Sequence, residues 1–236
     1  MTEAFEQTQP DEYVSTNEYK NRFTGPVGTL YLERQLSTII NWLRILRCEK
    51  ILEVGAGHGQ IANYLFECGY EVTCVVSPKA QITQLNAKIK LIRVPILEFK
   101  PNENFDCVIA LKTLGHTDNP TRFISNISLN TRVVIVDYPS KISFARFNTI
   151  GFWIKKLIEK RLRTFDPLHP IDVERFFNEV GFKKKFSDGL FMLPIAFYRL
   201  FKSKELIRKI EELCNFSVFK SPRLECFVLE TLYEAI

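Results

Sequence analysis

Three glycines at alternate positions, Gly55, Gly57 and Gly59, have the spacing that points most directly to ligand binding. They follow an apolar run, 50–54, that predicts a buried strand, and apolar residues at helical spacing begin at Ile61. A glycine turn between a strand and a helix lets a ligand approach the backbone, because no Cβ atoms stand in the way. The turn also directs free N–H groups and the positive end of the helix toward that ligand. The segment therefore predicts a ligand-binding loop.

Two further polar side chains follow predicted strands. His116 comes after the apolar run 105–111, and Asp137 ends the run 132–137. In open α/β sheets, ligands bind at the carboxyl ends of the strands, so both residues are expected near the glycine loop. His116 is the candidate general base, and Asp137 the candidate to face a bound substrate. Two alternatives stay open: His116 as a loop or helix-capping residue, and Asp137 as the cap of a helix or turn.

The composition is that of an ordinary soluble globular protein. Of 236 residues, 46% are hydrophobic and 25% are charged, and the net charge of +5 permits an acidic partner or a membrane surface without requiring one. The six cysteines form no CxxC pair and no zinc-like cluster with histidine, which predicts no metal site and reduced thiols in a cytoplasmic protein. With no run of 18 apolar residues and no signal-peptide core in the polar N-terminal stretch, the sequence predicts neither a membrane span nor secretion.

The elements that must position these residues alternate between strand and helix. The predicted strands span residues 50–54, 71–76, 89–94, 105–111, 132–137, 182–187 and 224–232. The predicted helices span residues 29–46, 60–67, 77–86, 120–127, 143–163 and 172–180. Continuous apolar strands alternating with helices predict an α/β fold with a doubly wound sheet that is covered on both faces.

The N-terminal part is predicted to differ from the rest of the chain. Residues 1 to about 18 are polar and are expected to be disordered or loosely attached. The segment 1–46 is interpreted as an N-terminal stretch with an entry helix, and 47–236 as the main domain. Two insertions into that domain, at about 143–168 and 189–221, are expected to form a small helical cap.

The spacing of the glycines discriminates between two classes of ligand. Dinucleotide sites use G-x-G-x-x-G, whereas this chain has G-x-G-x-G with Gln60 where the third glycine or alanine would stand. That spacing disfavours an NAD-dependent reductase. An acidic residue, Glu53, also lies two positions before the first glycine. The resulting E-x-G-x-G-x-G pattern resembles the signature of class I S-adenosylmethionine-dependent methyltransferases.

The resemblance extends beyond the loop. The run EVTCVVSP at 71–78 is similar to the second strand of that family and the Ser-Pro that follows it. The run FDCVIALKTLGHTDNP at 105–120 is similar to its fourth strand and the continuation of that strand. The branch that it most resembles includes the ubiquinone and menaquinone methyltransferases. The resemblance implies a seven-stranded, mostly parallel, Rossmann-like sheet with an antiparallel last strand, and S-adenosylmethionine as the cofactor.

Residue roles also follow from the resemblance. Glu53 would hydrogen-bond around the methionyl amine of the cofactor. The residues that would line its methionyl and ribose parts are Gly55, Ala56 and Gly57. Lys112 and Leu114 would sit beside the methionyl end and the transferring methyl group. His58, inside the loop, is a further candidate contact, with an exposed position at the helix start as its alternative.

This sequence departs from the family pattern in two places. Family members commonly end the second strand with an acidic residue that accepts hydrogen bonds from the ribose hydroxyls, but here valines occupy 75–76 and Ser77 is the nearest polar group. An Asp that often reaches the adenine amine is absent from 93–96. Tyr19 and Arg22 are candidates to compensate, since Arg can bind the methionyl carboxylate through two hydrogen bonds. Packing or surface roles are their alternative.

The sequence therefore predicts a methyltransferase acting on a small acceptor that could be apolar or lipid-like. The alternative is a methyltransferase-like binding or scaffold protein without catalysis, favoured by the missing carboxylates. RNA methylation is disfavoured by the modest charge and by the lack of an Asn/Asp-Pro-Pro-Tyr/Phe tetrad. The basic segment 153–163 is interpreted as a solvated helix face or a peripheral membrane contact, and 190–201 as an acceptor lid or a core or dimer contact. The oligomeric state stays open.

Overall fold

A seven-stranded sheet is the frame of the protein. The computed structural model describes residues 9–16, 24–143, 167–193, 195–213 and 219–233. Its strands are β1 (Lys50–Val54), β2 (Glu71–Val76), β3 (Lys90–Arg93), β4 (Phe105–Ala110), β5 (Thr131–Tyr138), β6 (Phe182–Gly189) and β7 (Arg223–Leu229). They lie in the order β3-β2-β1-β4-β5-β7-β6, with β7 antiparallel to both neighbours and the other pairings parallel. The predicted doubly wound sheet with an antiparallel last strand is confirmed.

Helices cover both faces of this sheet. Those described are α1 (Pro10–Val14), α2 (Gly25–Ile45), α3 (Gln60–Glu67), α4 (Pro120–Ile127), α5 (Pro170–Glu179), α6 (Ile195–Tyr198), α7 (Lys204–Leu213) and α8 (Glu230–Tyr233). Ile51 belongs to the apolar core that α2 and α3 cover, and Leu52 to the core under α4 and α5. Burial on both faces explains why adjacent residues of this strand are apolar. The predicted helix 143–163 lies outside the described residues except for its first position.

The segment after β2 differs from its prediction. The helix expected over 77–86 is wrong, because this segment consists of turns and irregular chain. Backbone groups that a helix would pair internally bond to other elements instead. The Gln81 N–H donates to Ser15 Oγ at 2.9 Å, and the Asn86 N–H donates to Asn63 Oδ1 at 2.9 Å. Contacts distant in sequence therefore override the helical signal that a Ser-Pro start provides.

A third apolar cluster joins α2 to the predicted cap. Its buried members are Val27, Leu30, Tyr31, Leu190, Phe191, Tyr198 and Ile207. Beside it the buried Glu211 carboxylate accepts hydrogen bonds from the Tyr198 hydroxyl and, at 2.9 Å, from the Met192 N–H. The domain boundary at residue 46 and the limits of the two insertions stay predictions. None of the described helices, those of the cap included, is long and apolar enough to cross a membrane.

Candidate functional site

The glycine loop requires glycine at its positions because of backbone conformation and crowding. Gly55, Gly57 and Gly59 all have positive φ values, of 78°, 53° and 79°. A Cβ added at Gly55 would lie 2.7 Å from Thr113 Cγ2, a separation that atoms in folded proteins do not adopt. The Gly55 N–H donates to the Val75 carbonyl at 2.8 Å, which ties the loop to β2. Glycine is thus required at these positions by the backbone conformation and, at Gly55, by the close packing of Thr113 against the loop.

Glu53 ends β1 beneath this loop and is buried, with 3% of its surface exposed. Burial raises the pKa of its carboxyl to about 8, and the Lys112 charge and the Ala62 backbone N–H only partly oppose that shift. Among the described residues, Glu53 Oε2 has no hydrogen-bond partner. A buried carboxylate oxygen without a donor is costly, so this atom is suited to receive a donor from a ligand.

Lys112 and Asp137 form the polar centre beyond β4 and β5. Lys112 has a left-handed backbone, with φ of 58°, and its N–H donates to Asp137 Oδ1. Burial lowers the pKa of the Lys112 ammonium, and the charges of Asp137 and Glu53 oppose that change. Its Nζ lies 5.5 Å from the centroid of the Tyr31 ring. A cation is therefore held between two carboxylates at the edge where the glycine loop lies.

Asp137 is anchored by groups from the entry helix. Its Oδ2 accepts from Gln35 Nε2 at 2.9 Å and from the Tyr31 hydroxyl at 3.5 Å. Burial raises the pKa of the Asp137 carboxyl, and Lys112, Gln35 and Tyr31 oppose the shift. These hydrogen bonds fit a role for Asp137 in positioning Lys112 and α2. A direct catalytic role for Asp137 stays a prediction.

His116 and Leu114 lie on a short 3-10 helix, Leu114–His116, that follows β4. Leu114 is fully buried in the core under α4 and α5, so its side chain contributes packing. His116 is half-buried, and its N–H donates to the Thr113 carbonyl at 3.0 Å. Among the described residues, the buried Thr113 Oγ1 has no hydrogen-bond partner. The predicted roles of His116 as a base and of Leu114 beside the cofactor stay predictions.

His58 connects the glycine loop to two other segments. Its Nε2 lies 3.2 Å from the Thr16 carbonyl, and its Nδ1 lies 3.4 Å from Thr83 Oγ1. A carbonyl only accepts, so Nε2 donates to it, and Nδ1 of the neutral ring accepts from the Thr83 hydroxyl. Both ring nitrogens thus have protein partners. A contact of His58 with the cofactor stays a prediction.

Ser77, at the end of β2, has a carboxylate partner that sequence reasoning missed. Its N–H donates to Asp11 Oδ2 at 2.7 Å and its hydroxyl to Asp11 Oδ1 at 2.5 Å. Asp11 and Ser77 are both fully buried. The prediction of a loosely attached N-terminus is therefore wrong for residues 9–16. No local pattern could reveal this contact, because it joins residues 66 positions apart.

The loop after β3 is reached by the same N-terminal segment. Gln9 Oε1 accepts from the Leu97 N–H at 3.2 Å, close to the place where the family's adenine-binding Asp is missing. Tyr19 and Arg22, predicted to compensate for the missing carboxylates, lie outside the described residues. Within the described part of the chain, no group of three or more His, Cys, Asp or Glu side chains is arranged to hold a metal ion.

Comparisons with known proteins agree with this geometry. A family model of the methyltransferase domain matches residues 29–183, more than half of the chain. The ubiquinone biosynthesis O-methyltransferase of Rickettsia canadensis is 30% identical over 110 residues, which are 44% of this chain and 45% of that protein. The enzyme of the same name from Rickettsia bellii (strain OSU 85-389) is 31% identical over 110 residues, with the same coverage. The chain thus spans less than half the length of these curated relatives.

Two solved structures share the fold. Magnesium protoporphyrin IX methyltransferase from Synechocystis PCC 6803, with bound SAH, superimposes with a TM-score of 0.59 at 14% identity, covering 93% of this chain and 97% of that one. A SAM-dependent methyltransferase from Archaeoglobus fulgidus gives a TM-score of 0.57 at 19% identity, covering 83% and 93%. The alternative of a non-catalytic binding protein receives no support from these comparisons. The family match and the sheet order establish that the chain belongs to the class I S-adenosylmethionine-dependent methyltransferases, enzymes whose cofactor is S-adenosylmethionine.

Proposed function

We propose that this chain binds S-adenosylmethionine beyond β1 and β4 and methylates a small, largely apolar acceptor. The observation that carries the proposal is the buried Glu53 Oε2, which has no partner among the described residues. The cofactor brings an ammonium group that can donate to this oxygen, and the glycine loop beside it has three positive φ values that glycine adopts without strain. These residues therefore fit the cofactor that the family uses.

Lys112 fits the other end of the methionyl group. Its ammonium is partly desolvated between Glu53 and Asp137, so a carboxylate brought into the site gains a charge-assisted partner. Asp137 fixes the left-handed Lys112 backbone and in this way positions the cation. The cofactor, when bound, supplies the electrophilic methyl group. The work of these residues is to orient the two reactants and to exclude water.

A buried aromatic cluster that joins α2 to the cap supports an acceptor with apolar parts. Tyr31, whose hydroxyl bonds to Asp137, stacks on Phe191 of the cap with ring centroids 6.1 Å apart. Phe191 in turn packs against Tyr198 at 5.3 Å. The curated relatives act, by their name, in ubiquinone biosynthesis as O-methyltransferases. We therefore favour a ring compound with a hydroxyl group, from which His116 would remove the proton.

Titration calorimetry with S-adenosylhomocysteine tests the cofactor site. Wild-type protein is expected to bind, and Glu53→Gln to bind about tenfold to a hundredfold more weakly, because a charged hydrogen bond is lost. The matched control is Glu49→Gln, the same substitution at an exposed position four residues earlier, which should leave affinity unchanged. Absence of binding by the wild type at millimolar ligand would contradict the proposal.

Methyl transfer is tested separately with radiolabelled S-adenosylmethionine and a panel of hydroxylated ring compounds. Mass spectrometry of molecules that co-purify with the protein guides the choice of the panel. With an accepted compound, His116→Asn should lower kcat by about a hundredfold, a size ordinary for loss of a general base, while S-adenosylhomocysteine affinity stays the same. An unchanged kcat would remove His116 from the proposed chemistry. The predicted cytoplasmic location and membrane contact are separate from this test.

A further inference from the structure

The N-terminal segment 9–16, here called the strap, crosses the edge of the sheet where ligands bind in this fold. Its polar groups reach three loops in succession. Thr16 bonds to His58 after β1, Asp11 bonds to Ser77 after β2, and Gln9 bonds to Leu97 after β3. A fourth bond joins Ser15 Oγ to the Gln81 N–H at 2.9 Å. The strap is thus bound to the site loops through its whole length.

Asp11 stands directly over the glycine loop. Its Cβ lies 3.5 Å from where a Cβ on Gly55 would be, and so does Ile96 Cδ1. Asp11, Ile96 and Thr113 together fill the space beside Gly55. The strap therefore occupies the region between the glycine loop and Ser77 at the end of β2.

Burial separates two roles that Asp11 could have. If its carboxylate were poised to receive the ribose hydroxyls, some of its surface would face a space large enough for them. Asp11 and Ser77 instead have 0% of their surface exposed, so not even a water molecule fits against either residue. No nucleoside can touch Ser77 or the Asp11 carboxylate while the strap is in this position.

The strap is held at an energetic cost. Burial raises the pKa of the Asp11 carboxyl above its ordinary value, although both Ser77 groups and the Arg93 charge act in the opposite direction. Removing a carboxylate from water thus outweighs the interactions that it gains. A segment bound through a few hydrogen bonds at such a cost can be displaced by a ligand that offers Ser77 better partners.

We propose that the strap is an internal competitor of S-adenosylmethionine, with Asp11 occupying the place of the ribose hydroxyls at Ser77 until the strap moves away. The inference rests on the proposed cofactor site and adds a regulatory step to it. Only molecules whose strap has moved away can then bind the cofactor, so the apparent affinity falls as the closed fraction rises.

Calorimetry with S-adenosylhomocysteine on the full-length chain tests the competition. Asp11→Ala removes both acceptors of the Ser77 hydrogen bonds and should tighten binding about tenfold or more. Glu12→Ala removes the same charge from the neighbouring, half-buried residue of α1 and should leave affinity unchanged. Equal affinity of wild type and Asp11→Ala would overturn the inference. Weaker binding would overturn it too, and would make Asp11 a cofactor ligand.

Hydrogen exchange on the wild type gives an independent readout. A saturating concentration of S-adenosylhomocysteine should speed exchange in the peptide that spans 9–16 and slow it in the peptide that spans the glycine loop. Greater protection of both peptides would overturn the inference while supporting the cofactor site. Absence of any binding, by wild type and variant alike, would overturn the proposed function and this inference with it.

Discussion

The two halves of the ligand-binding edge are built in different ways. Beyond β1 and β4, the polar groups belong to the strand ends themselves: Glu53 is buried and Lys112 is half-buried. Beyond β2 and β3, the strand ends carry no carboxylate, and Asp11 and Gln9 are brought there by the strap. The first half has a buried carboxyl oxygen, Glu53 Oε2, with no partner among the described residues, whereas the second already holds a part of the chain. The two halves therefore share one sheet but differ in how their polar groups are satisfied.

The largest effect is expected from Gly55→Ala, in the half that the strands build. The new Cβ would lie 2.7 Å from Thr113 Cγ2 on a residue with φ of 78°, so both crowding and backbone strain oppose it. We expect a loss of about 2–4 kcal/mol in unfolding free energy, measured with urea, and no detectable cofactor binding. Gly69→Ala is the control, because its φ is 92° but no atom lies within 4 Å of the new Cβ. Equal losses in the two variants would contradict the crowding argument.

Asp137→Asn tests whether cofactor binding in this half depends on the position that Asp137 gives to Lys112. The amide would direct a donor toward groups that already donate, namely Gln35, Tyr31 and the Lys112 N–H. We expect a loss of about 1–3 kcal/mol in unfolding free energy together with weaker cofactor binding. Asp172→Asn is the matched control, because Asp172 makes a solvent-exposed pair with Arg175 and should cost less than about 0.5 kcal/mol. If Asp137→Asn kept its unfolding free energy and its cofactor affinity and lowered only kcat, the result would support a direct catalytic role for Asp137.

The pH dependence of stability tests the buried charge of Glu53. Its pKa is about 8 in the folded protein against an ordinary value of 4.5, so the folded state keeps a proton that the unfolded chain releases. The stability that this proton contributes is complete below pH 4.5 and is lost as the pH rises toward about 8. Urea unfolding between these values should become less pH-dependent in Glu53→Gln, because the neutral amide has no proton to release. Identical profiles for wild type and variant would mean that Glu53 titrates normally.

The smallest effect concerns the half that the strap completes. Asn63 holds the loop after β2 through bonds to Asn86 and Gln84, and this loop carries the Gln81 N–H that binds the strap. Asn63→Ala should cost about 1 kcal/mol and should speed hydrogen exchange in 77–88 with little change in the glycine loop. Uniformly faster exchange across both loops would show that the halves are not independent.

Sequence reasoning succeeded where the signal is local. Ile51 and Leu52 face opposite apolar cores, so the apolar residues of the strand 50–54 are adjacent in sequence, and the strand was predicted with the correct ends. The helix Gln60–Glu67 and the glycines before it were likewise recognisable, since their periodicity and conformation depend on neighbours in the chain. The motif also led to Glu53, although not to the absence of a partner for its Oε2, which depends on the packing around it.

Sequence reasoning failed where contacts between residues distant in the chain determine the structure. A helix over 77–86 was predicted from its Ser-Pro start, but Ser15 and Asn63 accept hydrogen bonds from backbone N–H groups that the helix would pair internally. Asp11 lies in a polar stretch whose composition suggests disorder, and only its pairing with Ser77 makes it part of the site. Gln35 and Tyr31 lie within the predicted helix 29–46, but their bonds to Asp137 carry no sequence signal.

The position of Tyr31 has a consequence for how the two proposed substrate sites are coupled. Its ring stacks on Phe191 of the cap, its hydroxyl contacts Asp137, and the Lys112 ammonium lies 5.5 Å from the ring centroid. Under the proposed function, an acceptor that enters beneath the cap and tilts this ring would change the electrostatic field at Lys112. Occupancy of the two sites would then be thermodynamically linked, and by reciprocity each substrate would change the affinity of the other by the same factor.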